Sequence, residues 1–339
     1  MLFNVLQKLK KRKAAKVIVL MYHRIAQVNT DPWQLAVTPE NFEQQLIVLK
    51  ENFTVISMGE LMTRLATKDI KSDAVCLTFD DAYSDNFVYA KPLLEKSACP
   101  ATFFIPTHYI NQKKQFWWDE LEDIVLNSIE LPETLSLPVN ENTFTFRFEA
   151  GDNILTCQKQ EMQKKWMGQD SPPTERCKLY IDLWQLLKPL PFDRIIRIMD
   201  EIKNWSKYGE SNDELKFPIN LEQLQEMSAQ PLFDVGIHTT THPALAYHSS
   251  EIQQDEIVKS RQYLQKNCRK ALDILAYPYG NYNNSTISVL KKQKIKAAFT
   301  TEGQAVTKDS DIFQLGRFAV QNWNREEFEK KVYMWLKGI

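Results

Sequence analysis

The sequence predicts an α/β fold built on a parallel sheet with helical crossovers. Two observations carry that prediction. Short apolar runs rich in β-branched and aromatic residues recur along the chain, and amphipathic helix patterns lie between many of them. A third observation locates the chemistry, because several of these runs end in a polar residue able to react or bind.

Taken in order, the expected strands are KVIVLMYH (16–23), AVCLTFDD (74–81), ATFFIP (101–106), FDVGIHT (233–239), ILAYPYG (274–280), AAFTT (297–301) and QLGRFAV (314–320). After the first of them, TPENFEQQLIVLKENF has a Thr38 cap and Pro39 at the first helical position. Its Phe42, Leu46, Leu49 and Phe53 fall on one face. Residues 249–267 and 283–296 carry similar helix patterns, and the closing 324–338 segment sets Phe328, Val332 and Trp335 on one stripe. Residues from about 111 to 230 break the rhythm. FWWDELEDIVLNSI reads as a helix, LSLPVNENTFTFRF as a hairpin, and 177–209 as one or two helices. Strand–helix alternation resumes at Phe233, so one domain is expected. Its barrel would comprise 16–110 and 231–322, with a mostly helical insertion at 111–230 and a C-terminal helix at 324–338.

Composition bounds the function. The 339 residues are 43% hydrophobic and 25% charged, an ordinary globular balance. Net charge is −1, with no basic face or aromatic-basic platform, so a nucleic-acid partner is not expected. The five cysteines, Cys76, Cys99, Cys157, Cys177 and Cys268, are odd in number and far apart. That argues against a disulfide framework or a cysteine zinc site and fits a reducing compartment. The stretch MLFNVLQKLKKRKAAK puts its short apolar part before its basic part, the reverse of a secretory leader. A cytoplasmic location is expected. Phe3, Leu6 and Leu9 beside the Lys/Arg cluster suggest weak association with a membrane surface, against the plainer reading of a solvated basic end.

Chemistry gathers where the apolar runs stop. His23 ends the first, Asp80 and Asp81 the second, His238 the fourth, and Thr300 and Arg317 lie at or near the ends of the last two. In parallel β/α barrels such positions line one mouth. His238 and His242 stand four apart in GIHTTTHPAL. On a continuous strand they would be roughly 13 Å apart. Pro243 and the Thr run make an unbroken strand unexpected, and a turn brings the rings together. Two neutral imidazoles and a carboxylate suit a divalent metal such as zinc, with positions left for water and substrate. One acid of the Asp-Asp pair then binds metal and the other moves protons.

These residues resemble the polysaccharide deacetylase family, the NodB-homology carbohydrate esterases. The family's TFDD motif is Thr78-Phe79-Asp80-Asp81, and its H-[ST]-x-x-H motif is His238 to His242. The resemblance implies a distorted (β/α)7 barrel and a metal, usually zinc, held by Asp81, His238 and His242. It implies Asp80 as general base in hydrolysis of an N-acetyl group, with an oxyanion resting on the metal and on a backbone N–H near Tyr279. Two departures stand out. Where the family commonly has R-x-P-Y, this chain has Ala276-Tyr277-Pro278-Tyr279, and Arg317 is expected to supply the missing cation. No histidine follows His248, so the C-terminal L-x-H motif is absent. A family branch acting on poly-N-acetylglucosamine carries its acid just after the first strand, which nominates His23.

Trp117 and Trp118 are expected either to stack on sugar or to anchor a helix start, and Tyr277, Tyr279 and Tyr83 to shape the pocket. Asp119 reads as a helix-start acid or a substrate contact, Asp85 as a turn or helix cap, and His108 and His248 as structural. With a cytosolic location, the expected substrate is an N-acetylated glycan precursor, for example in lipopolysaccharide or capsule synthesis. An amidase acting on a non-sugar amide or cyclic imide is the second reading. An inactive glycan-binding scaffold is the third.

Overall fold

A computed structural model describes residues 15–139, 141–209 and 211–339. The basic segment proposed as a membrane foot lies outside the described residues. The core is a seven-stranded, all-parallel sheet: β1 (Val17–Tyr22), β2 (Ala74–Phe79), β3 (Ala101–Ile105), β4 (Phe233–Ile237), β5 (Ala271–Ala276), β6 (Ala297–Phe299) and β7 (Phe318–Ala319), in the spatial order β6-β5-β4-β3-β2-β1-β7. β1 to β4 are buried at every position, which is why they read as continuous apolar runs and not as alternating ones.

The last expected strand is shorter than the sequence suggests, because its first half has a different partner. Ile312 and Leu315 exchange backbone hydrogen bonds with β6, and only Phe318–Ala319 pairs with β1. That hand-over carries hydrogen bonding across the gap between the two edge strands and curls the sheet into the distorted barrel expected. It also delivers Arg317 to the mouth from between two strands.

Helices cover the outside. α1 (Pro39–Asn52) and α2 (Met58–Ala66) join β1 to β2, and α3 (Lys91–Lys96) joins β2 to β3. Thr38 caps α1 by accepting from the Asn41 N–H, and Phe42, Leu46 and Leu49 are buried on its inner face. After β3 come α4 (Trp117–Glu122), an antiparallel hairpin (Thr134–Val139 with Asn142–Arg147), α5 (Cys157–Lys165), α6 (Glu175–Leu187) and α7 (Phe192–Ser206). This region has its own apolar cluster, which takes in Tyr83 and Tyr109 from the barrel's loops. Fully buried Arg176 ties it together, donating to the carbonyls of Val125, Ser128, Ile129 and Asn153. α8 (Leu221–Ala229) then packs on β4. α9 (Ser250–Asn267), α10 (Asn284–Lys292) and α11 (Arg325–Lys337) complete the wall. Among the described residues, no helix is long and apolar enough to cross a membrane.

Candidate active site

The mouth of the barrel gathers the strand-end residues. β2 ends at Phe79, and the chain turns sharply with Asp81 at φ 71° and Ala82 at φ 57°. After β4, Thr239 (φ 64°) and His242 (φ 60°) make the turn that doubles HTTTH back on itself, and Tyr279 after β5 sits at φ 58°. Left-handed backbone at non-glycine residues is unfavourable, and here five cases cluster around one point, as strain does at functional sites. The turn after β4 is held from outside. Glu256 of α9 accepts from the N–H groups of Thr240 and Thr241, both at 2.8 Å, and from the Thr241 hydroxyl at 2.8 Å. Nothing in the sequence pointed to Glu256, because an acid inside an amphipathic helix looks like any solvated one.

Three donor atoms converge. His238 Nε2 and His242 Nε2 are 3.1 Å apart, and Asp81 Oδ1 lies 3.4 and 3.3 Å from them. His238 Nδ1 is 2.8 Å from the Ala276 carbonyl; donating there leaves its Nε2 with a bare lone pair. Asp81 Oδ1 is buried and makes no hydrogen bond. Burial alone would raise the Asp81 carboxyl, but the two imidazoles outweigh it and hold the group well below the usual range. Burial pushes His242 down to about 3, against the pull of Asp81. His238 is raised, because Asp80 and Asp81 outweigh its burial. A buried carboxylate oxygen and two imidazole nitrogens facing one point fit a divalent cation.

Asp80 is held apart from this set. Arg317, fully buried, grips it with two parallel bonds, Nη1 to Oδ1 and Nη2 to Oδ2, both 2.7 Å. The same guanidinium donates to the Thr78 hydroxyl and to the Thr300 carbonyl. Arg317 thus pairs with Asp80 in a chain that has Ala276 at the family's arginine position. Burial would raise the Asp80 carboxyl, but Arg317 and His238 overcome it and the group stays ionised. His23 Nε2 stands 4.0 Å from Asp80 Oδ2, its side chain 15% exposed where that of Asp80 is 3%. Burial lowers the His23 imidazole, partly offset by Asp80.

Other expected residues are placed differently. Trp117 and Trp118 are 3% and 7% exposed, so neither offers an open face to a sugar ring; the insertion's apolar cluster covers both. Trp118 instead packs on the His242 ring at 4.7 Å and donates to the Tyr83 hydroxyl, which in turn donates to Asp119. Tyr277 is buried, stacks on Tyr282 and donates to the Phe313 carbonyl, a structural tie. Tyr279 does reach the site, its ring 4.5 Å from His242. Asp85 caps no helix; it accepts from the Arg24 guanidinium and the Ile25 N–H, pinning the loop after β1 to that after β2. His108 packs on Tyr109 and Phe192. Behind Trp118 lies a cavity of about 240 Å³ lined by Arg24, Trp33, Tyr83, Asp119, Glu122 and Lys216, among others.

The polysaccharide deacetylase family model matches residues 67–133 and 203–313, more than half of the chain. Among curated relatives, a poly-β-1,6-N-acetyl-D-glucosamine N-deacetylase of Staphylococcus epidermidis is 34% identical over 125 residues, 34% of this chain and 42% of the relative. The Staphylococcus aureus protein of that name is 29% identical over 135 residues, 38% and 46% of the two chains. The chain thus spans under half the length of the curated relatives it matches. Among solved structures, the Streptococcus pyogenes deacetylase PplD in complex with acetate superposes with a TM-score of 0.57 at 20% identity, covering 94% of this chain and 98% of that one. IcaB from Ammonifex degensii gives 0.56 at 17% identity, covering 95% and 97%. These likenesses share the barrel, and the matched sequence contains both the Asp-Asp pair and the two histidines, so the chain belongs to the polysaccharide deacetylase family.

Proposed function

We propose that this protein hydrolyses the N-acetyl group of an amino sugar in a glycan or glycan precursor, releasing acetate and a free amine. The observation that carries the reading is Asp80: a buried, ionised carboxylate, gripped by Arg317 and separate from the Asp81–His238–His242 donor set. A structural charge pair needs no donor set beside it, and a metal site used only for binding needs no second carboxylate. A divalent cation on those donors, zinc by choice of ligands, would supply Lewis acidity to an amide carbonyl and a water.

The chain's own groups do the rest. Asp80 takes a proton from the attacking water, and Arg317 keeps it ionised and fixes its plane. His23, across from Asp80 and the more exposed of the two, hands a proton to the departing amine. A backbone N–H of the turn at Tyr279, whose ring lies 4.5 Å from that of His242, would meet the carbonyl oxygen as it becomes an oxyanion. The names of the curated relatives support an acetylated glucosamine polymer or its precursor as substrate. The five free thiols support a reducing, cytoplasmic setting, and a lipopolysaccharide or capsule precursor at the membrane's inner face fits that setting. Acetate release from N-acetylated oligosaccharides and nucleotide- or lipid-linked N-acetyl sugars tests the reading. Turnover is expected to fall about 10³-fold in Asp80→Asn and to vanish on chelation. Undiminished release in Asp80→Asn would overturn it.

A further inference from the structure

The aromatic wall beyond the metal donors carries a charge that the proposed reaction does not use. From the His242 ring the wall runs to Tyr279 at 4.5 Å, from Tyr279 to Trp184 at 5.9 Å, and from Trp184 to Trp33 at 4.5 Å. Tyr279, Trp184 and Trp33 are only partly buried, at the edge of the insertion's apolar cluster. Lys188, the C-cap residue just after α6, lays its Nζ over two of these rings, 4.6 Å from the Trp184 centroid and 4.9 Å from that of Tyr279.

Several partly buried lysines are matched to acids, Lys91 to Glu95 and Glu226, Lys203 to Glu120 and Asp200, Lys216 to Asp123, whereas Lys331 lies over the single ring of Trp323 at 5.2 Å. Lys188 faces no carboxylate among the described residues, and burial alone lowers its ammonium. Ring faces attract a cation but do not neutralise it. Partial desolvation without an anion is a cost that a packing role does not explain, since a Leu or Met would cover the same rings. The ammonium is also two ring contacts from the donors, a span suited to a neighbouring substituent and not to a remote one.

We propose that Lys188 is an anion-recognition residue, and that the substrate is an acetylated amino sugar bearing a phosphate or carboxylate next to the ring being deacetylated. The inference rests on the deacetylase reading and names its substrate class. Trp184 and Tyr279 would carry the sugar face, and Lys188 the charge.

Two measurements test it, one independent of turnover. Calorimetric binding of N-acetylglucosamine 1-phosphate and of N-acetylglucosamine is compared in the wild type, Lys188→Gln and Lys188→Arg, with thermal melts confirming folding. The wild type is expected to bind the phosphate about tenfold more tightly, the preference weakening with salt. Lys188→Gln should bring the two affinities together and Lys188→Arg should keep them apart. Acetate release is then compared for neutral N-acetylglucosamine oligomers, the sugar 1-phosphate and a uronate-containing disaccharide; the last two separate a phosphate source from a carboxylate one. The KM advantage of the charged substrate should collapse in Lys188→Gln. A wild type indifferent to charge, or a preference that survives in Lys188→Gln, overturns the anion site while leaving deacetylation of neutral oligomers standing. A preference abolished in Lys188→Gln with no acetate released from any substrate overturns the reaction and keeps the site.

Discussion

Two groups of acids, one buried and one partly buried, lie near one indole, and the protein treats them in opposite ways. In front of Trp118, Asp80 and Asp81 are kept ionised, the first chiefly by Arg317 and the second by two imidazoles. Behind it, Asp119 and Glu122 face the 240 Å³ cavity without a cation of their own. Arg24 is engaged by Asp85 and Lys216 by Asp123. Burial accordingly pushes Asp119 up to about 7 and Glu122 to about 8. Carboxyl groups are thus held ionised in one place and pushed toward their neutral form in the other. What decides is how far neighbouring groups, Arg317 in front and the two imidazoles beside it, offset desolvation.

Removing that cation should break the contrast most severely. Arg317→Met leaves Asp80 buried and unpaired, and is expected to cost about 3–5 kcal/mol in denaturant unfolding along with nearly all turnover. The double variant Asp80→Asn/Arg317→Met should recover much of the stability and none of the activity. Turnover persisting in Arg317→Met would show that Asp80 needs no partner. Next in size, His23→Ala should keep the metal and lose about 10²-fold in kcat. An unchanged kcat removes His23 as the proton donor. Smaller again, Glu256→Gln loosens the turn that carries both histidines. Metal affinity, titrated against a chelator, should weaken about tenfold.

The sequence made the front of the site legible and left the back unread, for physical reasons. Asp80, Asp81, His238 and His242 stood out because charge at the end of an apolar run is costly and therefore informative. Arg317 could be singled out because it too ends a run, although the hand-over at 312–315 that aims it was invisible. The two tryptophans stayed open between two readings: bulk and position suit a sugar platform equally well with a helix anchor, and their burial shows only once the insertion has packed. Glu256, Lys188 and Glu122 gave no sign, because what sets each apart is a neighbour that is missing or distant in sequence. The barrel follows from local patterns, whereas the insertion depends on long-range packing around Arg176 that no periodicity encodes.

The smallest expected effect is the sharpest test of the contrast between the two acid groups. Unfolded, Asp119 and Glu122 would lose their protons near their ordinary values of 3.8 and 4.5; folded, they keep them to about 7 and 8. Below both ordinary values the two states bind the same protons and folding gains nothing from either group. Between there and about pH 8 the folded chain holds protons that the unfolded chain has released, so stability declines as pH rises, and above that window the loss is constant. The wild-type Tm should therefore drift down between pH 5 and 8 relative to Asp119→Asn/Glu122→Gln, whose amides are neutral throughout. The acids in front predict no such drift there, since burial with a fixed cation has already set them ionised. If the double variant shows the wild type's slope, the cavity acids are ionised after all, and the contrast across Trp118 is one of position and not of charge.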